Sequence, residues 1–276
     1  MAVQGDRADA KHGGSMGTAV EIHNVTRIFD SKAGPSPALV DLDLTVQSGE
    51  FVSVVGPSGC GKSTLLTLIA GLAKPDTGTV SVLGRAVTGV QPAIGFIFQR
   101  DALLPWRTAI QNVALGLQYR GVHRKEARRR AEEWLARVGL ERSAHSYPAQ
   151  LSGGMRKRVQ IAATLACEPK ILLMDEPFSA LDVQTRTLME NDLLGIWDKS
   201  EQTVIFITHD LEEAIGLSDR VVVMSAGPGR VIGDHEITLA RPRNLLDIRF
   251  DAEFSKLHHI LWESLREEVL RANGKR

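Results

Sequence analysis

The sequence predicts an α/β protein: a buried sheet flanked by helices, with a block of helices inserted into it. Three observations carry this. Short apolar runs rich in β-branched residues recur at Phe51–Val55, Ile171–Met174, Val204–Thr208 and Arg220–Met224; they have the length and composition of buried strands. The first is followed by a Gly-rich turn and then by Leu65–Ala70, which reads as a buried helix. From Arg100 to Leu165 the pattern changes to helical spacing.

At 276 residues the chain can bury one large core, or one core with a smaller satellite domain. Lys plus Arg equals Asp plus Glu at 33 each, so there is no overall field for nucleic acid. Cys60 and Cys167 lie far apart with no metal-ligand spacing, which suits a reducing compartment. No apolar run approaches bilayer length. Residues 1–18 are polar and Gly-rich without the apolar block of a secretory signal, and are expected to be a disordered tail. A role in a membrane process would therefore be played from the cytoplasmic face, through partners.

Taken in order, Val20, Ile22 and Val25, then Leu42, Leu44 and Val46, alternate with polar residues as strands do, with Gly34-Pro35-Ser36-Pro37 as loop between them. Phe29 reads by position as core filler. Gly56-Pro57-Ser58-Gly59-Cys60-Gly61-Lys62-Ser63-Thr64 then has the spacing of a phosphate-binding loop between a strand and a helix. Glycines let backbone N–H groups turn onto phosphate oxygens, and the helix start adds partial positive charge. Lys62 would reach the β- and γ-phosphates and Ser63 would ligate Mg²⁺. Cys60 puts a thiol in this loop, so a bulky thiol reagent is expected to block ATP, and ATP to protect.

Thr79–Leu83 and Ile94–Phe98 are the next strands, the second ending at Gln99, which faces the ligand edge of an open sheet or merely caps. Trp106–Leu117 and Arg124–Val138 have helical apolar faces, the latter with Arg128/Glu132 and Arg129/Glu133 pairs. The run Arg128-Arg129-Arg130 is a solvated face or a phospholipid contact. Leu103-Leu104-Pro105-Trp106 is packing or a patch for a partner. Ser152 caps a helix running from Met155 to Cys167, and Ser152-Gly153-Gly154 leaves N–H groups approachable.

Ile171–Met174 ends in Asp175-Glu176. Two carboxylates at the end of an apolar strand are costly unless paired or on metal. Asp175 is placed to hold Mg²⁺ through water, and Glu176 to polarise the attacking water. Ser179-Ala180-Leu181-Asp182 follows as loop. Val204–Thr208 ends at His209, which caps the next helix or contacts the γ-phosphate. Arg220–Met224 and Gly229–Gly233 read as closing strands. Phe250, Phe254, Leu257, Leu261, Leu265 and Val269 fall at helical steps, a tail helix that packs on the core or serves a partner.

The ordered set GPSGCGKST, Gln99, LSGGM, ILLMDE, SALD and His209 resembles the ATP-binding subunit of ABC transporters from about Val20 to Gly233. LLPWRT, NVALGL and the tail RPR…FSKLHHILW resemble the nitrate/sulfonate/taurine class of bacterial importers. The resemblance implies a P-loop NTPase core with a RecA-like mixed sheet and an antiparallel β-subdomain over residues 19–240. It also implies an inserted α-helical subdomain at about 100–165 and a helical extension over 241–276. It implies a head-to-tail dimer with ATP between the phosphate loop of one copy and Ser152-Gly153-Gly154 of the other. Phe29 would stack on adenine, Gln99 would sense Mg²⁺ and the permease, and Asp182 would join the dimer interface. Glu176 would be the general base, His209 the γ-phosphate contact, and the helical block the seat of the permease's coupling helix. A solute-binding protein would deliver an oxyanion, an alkanesulfonate or a pyrimidine. The signature's usual Gln is Met155 here, with the Ser and both Gly kept. A soluble ABC-type ATPase of DNA repair or translation is the alternative, but it needs a coiled-coil insertion or two ATPase units, and neither pattern is present. A non-hydrolysing regulator would not need Glu176.

Overall fold

The computed structural model describes residues 17–31, 34–198 and 200–272. Residues 1–16 of the expected tail lie outside that set, and Thr18 already belongs to a strand. Two sheets form the body. In the first, β1 (Thr18–Ser31), β2 (Gly34–Gln47), β4 (Thr77–Val82) and β5 (Arg85–Ala86) run antiparallel in the order β2-β1-β4-β5. In the second, β3 (Phe51–Val55), β6 (Ile94–Ile97), β7 (Ile171–Asp175), β8 (Thr203–Ile207), β9 (Arg220–Met224) and β10 (Val231–Glu236) take the order β10-β9-β3-β8-β7-β6. All neighbours in it are parallel except β10 and β9. The continuous apolar runs become its central strands because helices and the other sheet cover both faces.

Register aligns the carboxyl ends of these strands. Val54 pairs with Ile207, Ile207 with Asp175, and Met174 with Ile97. The segments that leave β3, β6, β7 and β8 therefore emerge along one edge, where open α/β sheets place their ligands. One core, including Leu39, Val54, Leu66 and Ile207, fills the space between the sheets and around α1 (Lys62–Ile69). On the opposite face α5 (Val183–Trp197) packs through Met189, Leu193 and Trp197; the Phe51 and Trp197 rings meet edge-on at 5.2 Å.

The helical block is α2 (Ala109–Tyr119), α3 (Arg124–Arg137) and α4 (Gly153–Leu165), sharing a core of Val113, Leu117, Ala131, Leu135 and Val159. The tail helix α7 (Ala252–Ala272) packs Phe254, Leu257, Leu261 and Leu265 against α6 (Leu211–Leu217) and β9.

Three expectations need correction, and one helix was not expected. Gly34–Pro37 is not loop but the start of β2; this is an edge strand, where a proline's missing N–H costs no ladder bond. The helix expected from Trp106 begins at Ala109, after a turn held by Asn112. Phe250 is not on the tail helix but in a 3₁₀ turn, 83% exposed. Finally α5 had no expectation at all, because Glu190 breaks the apolar pattern of its buried face.

Candidate functional site

The phosphate loop turns into α1 at Gly61, whose φ of 96° and contact with the Ala38 carbonyl leave no room for a Cβ (2.6 Å). The Lys62 ammonium, 6% exposed, donates to the carbonyls of Gly56 (2.8 Å) and Pro57 (2.9 Å), so its charge lies within the loop. Ser63 Oγ, in the first turn of α1, donates to Asp175 Oδ1 at the end of β7 at 3.0 Å. Burial pushes the Asp175 carboxyl up, opposed by that Ser63 hydrogen bond. A hydroxyl and a carboxylate in contact form the hard oxygen pair that suits Mg²⁺, which binds few protein ligands alongside phosphates. Among the described residues no cluster of three His, Cys, Asp or Glu offers a fuller cage.

Beside this pair, Glu176 holds left-handed backbone (φ 40°), with its N–H donating to the Ile207 carbonyl at 3.0 Å. Its side chain, 22% exposed, accepts from Gln99 Nε2 (3.2 Å), and its Oε2 lies 3.3 Å from His209 Nδ1. Gln99, Glu176 and His209 come from three different strand ends and meet at one carboxylate. Each could orient a water against the loop's phosphate side.

The rest of the expected set is not gathered there. Ser152 caps α4, accepting from the Met155 N–H at 3.2 Å, and a Cβ on Gly154 would lie 3.0 Å from Thr185 of α5. Among the described residues Ser152–Gly154 shares no hydrogen bond with residues 56–64. Asp182 caps α5 and accepts from the Thr185 N–H (3.0 Å), a backbone bond that lowers its carboxyl. Phe29 is 43% exposed with the Arg27 guanidinium 4.8 Å over its ring, so it is a presented face rather than the core filler its position suggested. Cys60 turns its side chain inward beneath the loop, where its Sγ accepts from Lys62 Nζ at 3.8 Å. Its side chain is fully buried in the core, and burial raises the thiol.

Sequence reasoning missed three supports. Ser179 Oγ lies 3.5 Å from Gln99 Nε2 and donates to the Glu176 carbonyl. Arg156 pairs with Asp101 at 2.7 Å. Lys157, 3% exposed and lowered by burial, donates to the carbonyls of Phe98 (3.2 Å) and Gln99 (3.1 Å). Lys157 could have been found, because four-residue steps put it on the same helix face as Ile161 and Leu165.

A mixed, largely parallel sheet with a phosphate loop at the carboxyl edge defines a P-loop nucleoside triphosphatase. The family model described as ABC transporter matches residues 39–179. An uncharacterized ABC transporter ATP-binding protein of Methanocaldococcus jannaschii is 46% identical over 257 residues, 93% of this chain and 95% of that protein. The nitrate import ATP-binding protein NrtD of Synechocystis sp. is 47% identical over 223 residues, 81% of this chain and 83% of its own. The bicarbonate transport ATP-binding protein CmpD of the same organism is 43% identical over 241 residues, 86% of each. A solved dimeric ATP-binding cassette in a post-hydrolysis state with ADP and Pi superposes with a TM-score of 0.71 at 35% identity, covering 80% of this chain and 99% of that one. The chain belongs to the ABC transporter family; it is an ATP-binding subunit with ATPase activity.

Proposed function

We propose that this chain is the motor subunit of an importer for a small anion with the chemistry of nitrate or bicarbonate. It would work at the cytoplasmic face of a membrane, bound to permease subunits and fed by a solute-binding protein. The nitrate and bicarbonate relatives support the solute class. No described helix is long and apolar enough to cross a membrane, so membrane passage belongs to partners in this reading.

In the proposed cycle two copies pair head to tail. Lys62 and the loop N–H groups of one copy hold the phosphates, Ser63 and Asp175 hold Mg²⁺ with Gln99 beside it, and Phe29 takes the adenine. Ser152-Gly153-Gly154 of the other copy brings its helix start to the γ-phosphate, and Asp182 lies in the interface. Glu176 takes a proton from the attacking water and His209 holds the terminal phosphate. ATP drives closure only because it binds the paired state better than the open one. Leu103–Trp106 beside α2 would receive the permease. Leu103 packs into the helical core while Trp106 is 69% exposed. The observation that carries the proposal is the meeting of Gln99, Glu176 and His209 at one carboxylate beside the Ser63–Asp175 pair.

Glu176→Gln should cut steady-state ATP hydrolysis by about 10²-fold or more while ATP affinity stays within about threefold. Phosphate release together with nucleotide titration measures both, and undiminished turnover would exclude Glu176 as the base.

A further inference from the structure

Behind the catalytic edge lies a group of buried charges that the proposed cycle does not use. Glu190 of α5 is 5% exposed and Glu213 of α6 is 7% exposed; both line one small cavity with Arg186, and Glu190 Oε1 is buried there without a hydrogen-bond partner among the described residues. Two carboxyls buried beside one another cannot both ionise cheaply, so one of them keeps its proton. Arg186 stands over the pair, its Nη1 3.7 Å from Glu213 Oε1 and 3.5 Å from Asp210 Oδ2. Its Nη2 donates to the Leu181 carbonyl at 3.2 Å. On the other side Thr208 Oγ1 donates to Glu213 Oε2 at 2.5 Å and accepts from the Asp210 N–H at 3.0 Å. An unbroken series of contacts thus runs from Leu181, next to Asp182, through Arg186 and Glu213 to Thr208, next to His209.

We propose that Arg186, Glu190 and Glu213 are positioning residues that clasp the helix start presenting Asp182 to the turn presenting His209, so that these two loops move as one. The inference rests on the roles given above to Asp182 and His209. Buried carboxyls are an expensive way to fill space, since apolar side chains of similar size usually stabilise a core better. Their worth lies in directionality: the ion pair of Arg186 with Glu213 and the hydrogen bond of Thr208 to Glu213 fix the relative rotation of α5 and α6, which Leu or Met at these places would leave free.

The clasp has its own pH dependence. Burial, then the charge of Glu213, push the Glu190 carboxyl up to about 8, with Arg186 opposing. The other charged groups facing the pair are Asp210, held by Arg186, and Glu212, whose partner is Arg249 at 3.6 Å in the adjoining 3₁₀ turn. A cavity of about 100 Å³ beside Arg186, Glu190 and Glu213 gives solvent access to the proton. When that proton leaves at alkaline pH, two buried carboxylates face each other and the clasp opens.

The test is the pH profile of ATPase activity of the full chain from about pH 6.5 to about pH 9.5 with Mg-ATP, with ATP affinity measured alongside. Glu190→Gln places an uncharged amide beside Glu213 at every pH. It should hold kcat near neutrality within about threefold and move the alkaline midpoint up by about one pH unit or more. Glu190→Ala should lower kcat about tenfold with ATP affinity unchanged, and Glu190→Gln then serves as the rescue. A Glu190→Gln profile with the wild-type midpoint, beside an inactive His209→Ala, would overturn the clasp alone. Full activity of His209→Ala would overturn the site reading and the clasp with it.

Discussion

Glu176 is held at φ 40°, a left-handed conformation that costs a non-glycine residue about 1–3 kcal/mol. The strain aims its carboxylate at Gln99 and His209 instead of along the strand. The identities of Lys62, Ser63, Asp175 and Glu176 were legible because their chemistry is tied to fixed spacing around a strand end. The direction of a loop side chain was not. Cys60 reads in sequence as part of the phosphate surface, yet its sulfur faces the core beneath it, 2.9 Å from where a Cβ on Gly56 would lie. A buried thiol with a raised pKa is a poor nucleophile. A bulky maleimide should therefore leave Cys60 unmodified in the native protein whether ATP is present or absent, and react only on unfolding. Native-state labelling of Cys60 that ATP suppresses, read by peptide mass spectrometry, would contradict this placement.

Elements announce themselves where one face is purely apolar and stay silent where polar groups are buried by design. β3, β7 and β8 were readable as strands, and α3 as an amphipathic helix, because burial and hydropathy agree along them. α5 was invisible because Glu190 sits in its buried face, and the start of β2 was hidden by Pro35 and Pro37, which only its edge position accommodates. α4 shows the same principle at work in the site. One end carries the Ser152 cap, and one turn later Lys157 reaches back to the carbonyls of Phe98 and Gln99. That helix sets the position of Gln99 without touching the phosphate edge. Lys157→Met keeps the length of the side chain and removes these two bonds together with the one to Gln160 Oε1 at 2.9 Å. It should lower kcat about tenfold, about 1.4 kcal/mol of transition-state stabilisation, while KM for ATP changes less than about threefold. An unchanged kcat in a folded Lys157→Met variant would show that Gln99 needs no such anchor.

At the scale of the whole molecule, aligned strand ends gather Lys62, Gln99, Asp175, Glu176 and His209 on one edge, while α4 presents Ser152–Gly154 elsewhere, against α5. In the proposed cycle these are two unlike half-sites on one chain. The order of motifs made both readable in sequence, but only the three-dimensional arrangement separates them. Head-to-tail pairing requires that a nucleotide gripped by the first half-site be completed by the second half-site of another copy. Light scattering of Glu176→Gln at micromolar concentration, with and without saturating Mg-ATP, tests this most directly. Head-to-tail pairing should give one chain's mass without nucleotide and twice that mass, with two ATP per pair, once Mg-ATP is bound, and the pair should be lost when Ser152→Arg blocks the helix start. A Glu176→Gln protein that binds ATP one to one and stays at the mass of a single chain would contradict it.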